Sequence, residues 1–489
     1  MSALALLARN AAVLAVAEGT ARLASAAFVV VAARRLGAEG YGLYATSLTF
    51  LLFARMLSRF GIQSVVVVRD VAERKDLTSR YLTSTILLAL PPSLAIWLAL
   101  PWMARALGYG DQLPWLLAVL GASLVGHAVA RPAEEVLRAH ERMLLFGSAS
   151  LGLSLATAAS GVALLLLGFR LGALMALQAG AAWVEAALLL GLAHRYATRL
   201  SWQPSRDVMR RLAREGLPLF LLVALDLTLT RIDVLVLARL AGPDAVGLYV
   251  PAVRILEYVV IFRTGVGGAL FPFLAARWQG SPAELSRAYQ SARQAYVIYA
   301  VGCAVLLTAG ADSIVGLLFG SAYLPGALVL KILAWAMVAD LAAGPLAEVI
   351  LVRRVPLGPL VPAVGALALL NLLLNLWLVP QLSYTGAATA ALATAVVGLG
   401  LRAWWARRVL REAPPSLWGA LWRPAAGALA MAAVFALLRP IGFWLAIGPA
   451  GCSYAVTLVG TGAIRVGAIT QAVRATASLL FRRDRLSDD

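Results

Sequence analysis

Long apolar segments recur along this 489-residue chain, and short polar stretches separate them. A helix of ~20 apolar residues is long enough to cross the ~30 Å hydrocarbon core of a bilayer. Residues 164–167 and 188–190 are unbroken runs of leucine, whereas a membrane β-barrel requires segments of about ten residues that alternate between apolar and polar. The pattern therefore predicts an all-α polytopic membrane protein with about fourteen transmembrane helices.

The predicted spans form two groups of six and a final pair. The first group covers residues 10–33, 42–68, 80–107, 113–136, 146–169 and 172–193. The second covers residues 215–238, 245–275, 293–319, 326–352, 358–379 and 385–406, and the final pair lies near 418–438 and 442–463. This division predicts an N-terminal six-helix bundle (1–200), a C-terminal six-helix bundle (201–410), and an extra helix pair with a basic cytoplasmic tail (411–489).

An internal repeat links the two groups of six spans. Residues 37–44 read GAEGYGLY and residues 242–249 read GPDAVGLY, so both fit the pattern G-x-[ED]-x-x-G-L-Y at the end of one span and the start of the next. A weaker echo links residues 172–174 with residues 386–388, which open the last span of each group. The sequence therefore predicts two parallel six-helix repeats, an arrangement found in transporters that are built from two halves.

Composition supports a membrane protein and argues against a nucleic-acid-binding one. Hydrophobic residues make up 61% of the chain and charged residues 13%, about half the charged fraction of a soluble domain. The formal charge of +18 comes mostly from arginines that are scattered between apolar segments, without the compact basic patch that nucleic acid requires. These arginines concentrate in the loops that are cytoplasmic when both termini and the 194–214 connector lie inside, which predicts that orientation.

Metal and cofactor chemistry find little support in the sequence. Cys303 and Cys452 lie in apolar segments without a CxxC spacing, and His127, His140 and His194 are not clustered. The chain also lacks a glycine-rich nucleotide-binding loop. We expect no metal, no cofactor and no enzymatic activity.

Several segments match a known family in order and spacing. They are residues 35–44 (RLGAEGYGLY), 61–64, 68–72, 232–233, 247–249, 318–323, 330–333, 379–381 and 386–390. Together they resemble bacterial polysaccharide flippases of the Wzx kind, which belong to the multidrug/oligosaccharidyl-lipid/polysaccharide (MOP) exporter superfamily. The resemblance implies a flippase in the bacterial cytoplasmic (inner) membrane that moves an undecaprenyl-diphosphate-linked oligosaccharide, an O-antigen or exopolysaccharide repeat unit, from the inner to the outer leaflet by alternating access. It also implies other polysaccharide-assembly proteins as candidate partners.

Ionisable residues at mid-membrane depth are the candidate site residues, because charge is expensive in lipid and normally faces a cavity or a partner. The candidates for the cavity and the substrate diphosphate are Arg22, Arg55, Arg59, Arg131, Arg231, Arg254 and Arg263. Arg55 and Arg59 share one helical face with no acid within a turn, so they require either an acid from another helix or a ligand phosphate. Arginine suits phosphate because its planar fork binds two oxygens at once.

Asp226, Asp233 and Asp340 are the candidates for ion coupling. Asp226 and Asp233 are two turns apart and share a helical face. They could carry a coupling ion, or they could form ion pairs with arginines of other helices. Local pairs are also open for Arg22 with Glu18 and for Arg254 with Glu257.

Two other functions fit a polytopic membrane protein. A cation-coupled multidrug exporter of the same superfamily would favour acids and aromatics in its cavity, whereas arginine predominates at depth here. A membrane glycan polymerase or ligase typically carries a large outer loop with catalytic basic residues, which the predicted spans leave no room for.

Overall fold

The computed structural model describes residues 3–59, 64–199, 201–278, 282–346, 349–350, 358, 360–410 and 417–464. Side chains are described in these ranges except at 3–18, 64–65, 218, 261–278, 282, 410 and 417–418. The regular structure in the described ranges is helical throughout. Nine of the described helical segments are long and apolar enough to cross a membrane. The predicted all-α multi-pass architecture is therefore confirmed.

The helices follow the predicted order. They begin with α1 (Ala3–Ser58), α2 (Ser64–Glu73), α3 (Thr78–Ala106), α4 (Gln112–Ala139), α5 (Met143–Leu166), α6 (Leu171–Tyr196) and α7 (Arg206–Leu240). They continue with α8 (Gly242–Trp278), α9 (Pro282–Phe319), α10 (Ala327–Ala342), α11 (Leu360–Leu410), α12 (Leu417–Leu437) and α13 (Phe443–Gly460). Short 3₁₀ turns occur at Lys75–Leu77, Ser321–Gly326 and Arg439–Ile441.

Kinks, rather than loops, join two pairs of predicted spans. In α1 the backbone leaves the helical region at Gly37, where φ is 69°, a value that glycine adopts without steric cost. In α11 the equivalent break is at Ser383, with φ 53°. Both positions fall between predicted spans, so the sequence located the two boundaries. Each connection is a kink within one helix and not a loop.

The chain forms two compact units, which are described separately. The first comprises Met1–Ala252, Leu318–Gly326 and Leu357–Ala390, and the second comprises Val253–Leu317, Ala327–Pro356 and Ala391–Asp489. These bounds follow compactness rather than sequence similarity. The predicted six-helix halves with an added pair stay a prediction.

Helix α4 lies at the centre of the first unit. Of the candidate spans it has the largest buried share, 61% of its apolar window, whereas α5 has only 11%. Val136 on α4 belongs to one buried cluster with Leu82 of α3 and Leu189 of α6. At Gly126 a Cβ would lie 2.9 Å from the backbone of Ala182, so α4 and α6 approach as closely as glycine allows. This packing holds α4 firmly in place.

The two copies of the octapeptide pack against each other within the first unit. Each begins with a glycine of positive φ, Gly37 at 69° and Gly242 at 85°. A Cβ at Gly42 would lie 1.8 Å from the carbonyl oxygen of Pro243, and one at Gly247 would lie 1.9 Å from that of Ala38. Gly42 and Gly247 occupy the same position in the repeat, so the contact is reciprocal. It gives the two matching glycines of the predicted repeat the same steric reason.

Gly42→Ala is therefore expected to destabilise the protein. The added methyl group overlaps a backbone carbonyl that cannot move as a side chain can, and overpacking of this kind typically costs about 1–3 kcal/mol. Thermal unfolding of the purified protein in detergent should show a lower midpoint for this variant. Gly180→Ala in α6 is the matched control, because a Cβ there meets no atom within 4 Å and alanine favours a helix. Equal midpoints for wild type and Gly42→Ala would contradict the close contact.

In the second unit the terminal helix pair packs on α9. The Tyr454 hydroxyl of α13 donates to the carbonyl oxygen of Ile298 at 2.7 Å. The Tyr454 ring fills the space beside Gly302 of α9 and Gly427 of α12. The extra pair is therefore an integral part of this unit.

Candidate functional site

A cavity of about 330 Å³ opens in the first unit between α1, α3, α4 and α7. Its wall combines basic and hydroxyl side chains with apolar ones. The lining residues are Leu52, Arg55, Met56, Ser58, Arg59, Ser93, Leu124, His127, Ala128, Arg131, Phe220 and Val223. Its volume lies at the low end of the range for ligand pockets.

The basic side chains reach the cavity from two helices. Arg55 lies in the last turn of α1 and Arg59 is the residue that directly follows this helix, and His127 and Arg131 are four residues apart on α4. This spacing puts each pair on one helical face, one turn apart. Two neighbouring faces thus direct four basic groups into one space. The structure brings together three of the seven arginines that the sequence predicted for the cavity.

Arg59 and Arg131 are partly neutralised by acids of α4. Arg59 forms an ion pair with Glu135, whose side chain is only 2% exposed. Arg131 contacts Glu134 at 2.6 Å, and Glu134 also contacts Arg138 at 2.7 Å. For Arg59 the structure therefore provides the acid from another helix that was one of the two alternatives.

Arg55 has a different partner. Its guanidinium donates to Nε2 of His127, and Nδ1 of His127 lies 3.4 Å from a carboxylate oxygen of Glu185 on α6. The Nε atom of Arg55 is buried and has no hydrogen-bond partner among the described residues. Arg55 thus faces a neutral ring rather than an acid, and its positive charge is the least compensated in the cavity wall.

His127 and Glu185 were not among the predicted site residues. His127 is one helical turn from Arg131 on α4, and Glu185 is an ionisable residue well inside the predicted span 172–193. Both signals were present in the sequence. The three-helix contact between Arg55, His127 and Glu185 joins positions far apart in the chain, so periodicity within single helices did not reveal it.

The other three predicted arginines with described side chains do not line this cavity. Arg22 and Arg231 are half-buried and do not belong to the cavity wall. Arg254, in the second unit, forms the local pair with Glu257 at 2.7 Å that was one of its alternatives. The side chain of Arg263 lies outside the described side chains.

The three predicted aspartates have three different environments. Asp233 is 8% exposed and accepts hydrogen bonds from the Tyr249 hydroxyl and the backbone N–H of Val234. Asp340 pairs with Arg402 at 2.5 Å in the second unit. Asp226 is exposed, so it does not share the environment of Asp233 although the two are on one helical face.

A second polar cluster joins α2, α3 and α7 in the first unit. Asp70, 3% exposed, accepts hydrogen bonds from Tyr81 at 2.7 Å and from Arg69 at 3.0 Å. Arg69 also donates to Glu215 at 2.7 Å, and Arg211 bridges Glu215 and Asp70. Hydrogen bonds to Glu215 and then Asp70 raise the pKa of Arg69 above its ordinary value. Because both arginines are about half exposed, the cluster orders these helices more than it stabilises them.

The fold and the cavity together define a multi-pass helical membrane protein with a basic internal site. Its family model is described as polysaccharide biosynthesis protein and matches residues 7–278. The chain belongs to this family. No curated protein matches the chain in a sequence comparison.

Solved structures show the same fold. The lipid II flippase MurJ in an inward closed conformation has a TM-score of 0.75 at 12% identity, over 91% of this chain and 97% of MurJ. An inward-facing multidrug resistance MATE family transporter of the MOP superfamily has a TM-score of 0.58 at 15% identity, over 80% of this chain and 94% of that one. A MOP superfamily transporter from Pyrococcus furiosus, reported to have a binding pocket of reverse polarity, has a TM-score of 0.55 at 15% identity, over 82% and 94%. The predicted resemblance to polysaccharide-assembly proteins is therefore confirmed by the family, and the fold is one shared with transporters of the MOP superfamily.

Proposed function

We propose that this protein moves a polyprenyl-diphosphate-linked oligosaccharide across the bilayer by alternating access. The observation that carries the proposal is the cavity in which Arg55, Arg59 and Arg131 meet. A diphosphate is the anionic part of such a lipid, and arginine binds its oxygens in pairs. Family membership and the MurJ-like fold support a substrate from polysaccharide assembly.

Arg55 is the principal diphosphate ligand in this proposal. Arg59 and Arg131 already share their charge with Glu135 and Glu134, so they add a positive field and single hydrogen bonds. The partner of Arg55 is the His127 ring, which an anionic oxygen can replace with a gain in electrostatic energy. Ser58 and Ser93 add hydroxyl groups beside the arginines.

The apolar part of the wall suits the lipid end of the same substrate. Leu52 and Val223 line the cavity and are 36% and 49% exposed, and Met56 and Phe220 line it too. A prenyl chain beside these side chains would stay in an apolar environment while its diphosphate enters the cavity. The proposal includes the bacterial inner membrane as the location, cytoplasmic termini, and other polysaccharide-assembly proteins as partners.

The cavity disfavours the alternative of a multidrug exporter for cationic compounds. The described residues of its wall include three arginines and no carboxylate, so an organic cation would meet repulsion.

A polymerase or ligase would need a catalytic group at a reacting sugar. The basic groups here are held by Glu134, Glu135 and Glu185 in a fixed network that suits binding.

Reconstitution tests the proposed function directly. Vesicles that contain the purified protein and a fluorescent prenyl-diphosphate oligosaccharide should move the lipid between leaflets faster than protein-free vesicles. Quenching of the outer-leaflet fluorophore by a membrane-impermeant reductant gives the rate. A fluorescent phosphatidylcholine is the control substrate, since it lacks a diphosphate. Equal rates for both lipids would identify a nonspecific scramblase, and no movement of either would reject the proposal.

A further inference from the structure

The His127 ring lies between a cation and an anion. Arg55 of α1 donates to Nε2, and Glu185 of α6 faces Nδ1 at 3.4 Å. A ring nitrogen that accepts a hydrogen bond carries no proton. The contact with Arg55 therefore requires neutral His127 with its proton on Nδ1, the ring atom that lies 3.4 Å from Glu185 without a hydrogen bond to it.

Protonation of His127 and its contact with Arg55 exclude each other. A proton on Nε2 turns the acceptor into a donor, and it places an imidazolium against a guanidinium. Glu185 would stabilise the imidazolium from the other side, because its carboxylate stays within ion-pair distance of Nδ1. Arg55 would then have to turn from the ring toward the cavity that both residues line.

A bound diphosphate favours this same arrangement. The anion attracts Arg55 into the cavity, which leaves Nε2 of His127 open to a proton, and its negative charge favours the imidazolium. Binding and protonation therefore promote each other, as thermodynamic linkage requires for any two ligands that favour one state. We propose that His127 and Glu185 form a proton-binding site that fills when Arg55 engages a diphosphate. This proposal rests on the proposed function and adds a linked proton to it.

The charged groups around His127 are compatible with a proton at this site. The groups that face the cavity region are Arg55 and Arg59 from α1, Arg131, Glu134 and Glu135 from α4 itself, and Glu185 from α6. Helix α5 contains no charged residue, and α3 has charged residues only near its ends, at Arg80 and Arg105. From α7 the wall receives Phe220 and Val223. Glu185 is thus the acid placed to stabilise a protonated His127.

Calorimetry can count the linked proton. The probe is a short-chain prenyl diphospho-N-acetylglucosamine, whose diester diphosphate does not titrate near neutral pH. Binding heats for the intact protein in detergent, measured in two buffers of different ionisation enthalpy, give the number of protons taken up. Measurements between about pH 5 and pH 8 cover the range in which histidine changes its charge.

Wild type should take up a fraction of a proton, and its affinity should rise as the pH falls, by at most about tenfold per pH unit for one linked proton. His127→Gln keeps an acceptor for Arg55 but cannot take up a proton, so its affinity should not depend on pH. His140→Gln is the matched control, because His140 directly follows α4 and contacts the carbonyl oxygen of Val136 outside the cavity. That variant should take up protons as wild type does.

Glu185→Gln provides a second variant if His127→Gln does not fold. It removes the anion that stabilises the imidazolium, so the pH-dependent change in affinity should move to lower pH. Unchanged proton uptake in His127→Gln, or binding by wild type without proton uptake, would overturn the linked-proton site and leave the proposed function standing. Absence of binding by wild type would overturn both.

Discussion

Arg55→Ala is expected to reduce translocation of the lipid-linked oligosaccharide by about a hundredfold or more. If Arg55 binds the diphosphate as proposed, the variant removes two hydrogen bonds to a charged phosphate. Each is worth about 1.5–3 kcal/mol, and each 1.4 kcal/mol is about tenfold. Its partner in the structure is neutral His127, so the substitution leaves no acid without its cation. The protein should therefore accumulate in the membrane as wild type does. The vesicle assay measures the rate, and unfolding in detergent checks the fold.

Arg59→Ala needs a compensating change, because Arg59 pairs with buried Glu135. Removing one partner of a buried ion pair can cost about 3–5 kcal/mol, which would confuse a loss of fold with a loss of binding. Combining it with Glu135→Gln removes both charges. Arg55→Ala together with Arg59→Ala and Glu135→Gln should therefore abolish transport without leaving a buried acid unpaired.

Lysine replacements and a remote control separate binding from stability. Lysine at positions 55 and 59 should restore transport only in part, since a point charge cannot form the paired hydrogen bonds of a guanidinium. Lys331→Ala removes a cation that pairs with Asp312 in the second unit and should leave the rate unchanged. Normal transport by Arg55→Ala would contradict a phosphate role, and failure of this variant to accumulate would show that Arg55 is structural.

The sequence was sufficient to predict the helical fold and the resemblance to polysaccharide-assembly proteins. Apolar length predicts membrane helices because a bilayer accepts few alternatives. The octapeptides were placed at span boundaries, where the structure has a kink at Gly37 and a close contact at Gly42. The sequence also indicated that Arg55 and Arg59 need partners, since their spacing is a property of one helix. Helix length was less predictable, because residues 10–58 lie within a single kinked helix.

Partners between helices could not be predicted in this way. Nothing in the spacing along α1 specifies that Arg59 meets Glu135 while Arg55 meets His127. Those pairings depend on the rotation and depth of α1 against α4, which packing at positions such as Gly126 determines. A buried charge in a single sequence therefore indicates a site, and the structure is needed to identify which charges share it.

Asp233 occupies a position where the fold does not require a carboxylate. Tyr44 and Tyr249 are the last residues of the two octapeptides. Phe28 precedes Tyr44 by as many residues as Asp233 precedes Tyr249, so Phe28 and Asp233 hold matching positions in the predicted repeat. Phe28 and Tyr44 pack with ring centroids 5.9 Å apart, whereas Asp233 accepts a hydrogen bond from Tyr249. In the predicted repeat, one of the two matching positions thus holds an aromatic ring and the other an acid. Because a buried carboxylate in a membrane is expensive, its presence favours a function such as ion coupling.

The surroundings of Asp233 also suit reversible binding of an ion. Its hydrogen-bond donors are the Tyr249 hydroxyl and the Val234 N–H, both neutral groups. Asp340, in contrast, has its charge compensated by Arg402. The alternative of ion pairing therefore fits Asp340 better, and Asp233 is the stronger candidate for coupling.

Asp233→Asn is expected to remove the acceleration of transport by an ion gradient while the protein still folds and binds the prenyl diphosphate probe. Asparagine keeps the size of the side chain and an acceptor for Tyr249, but it cannot bind a proton or Na⁺ as a carboxylate does. Rates in vesicles with and without an imposed proton or Na⁺ gradient measure the effect. Asp312→Asn is the control, because Asp312 is 64% exposed and pairs with Lys331.

The proton taken up at His127 is measured in binding without a gradient, so Asp233→Asn should leave that uptake intact and His127→Gln should abolish it. Wild-type transport that is equally fast with and without both gradients would exclude coupling through Asp233.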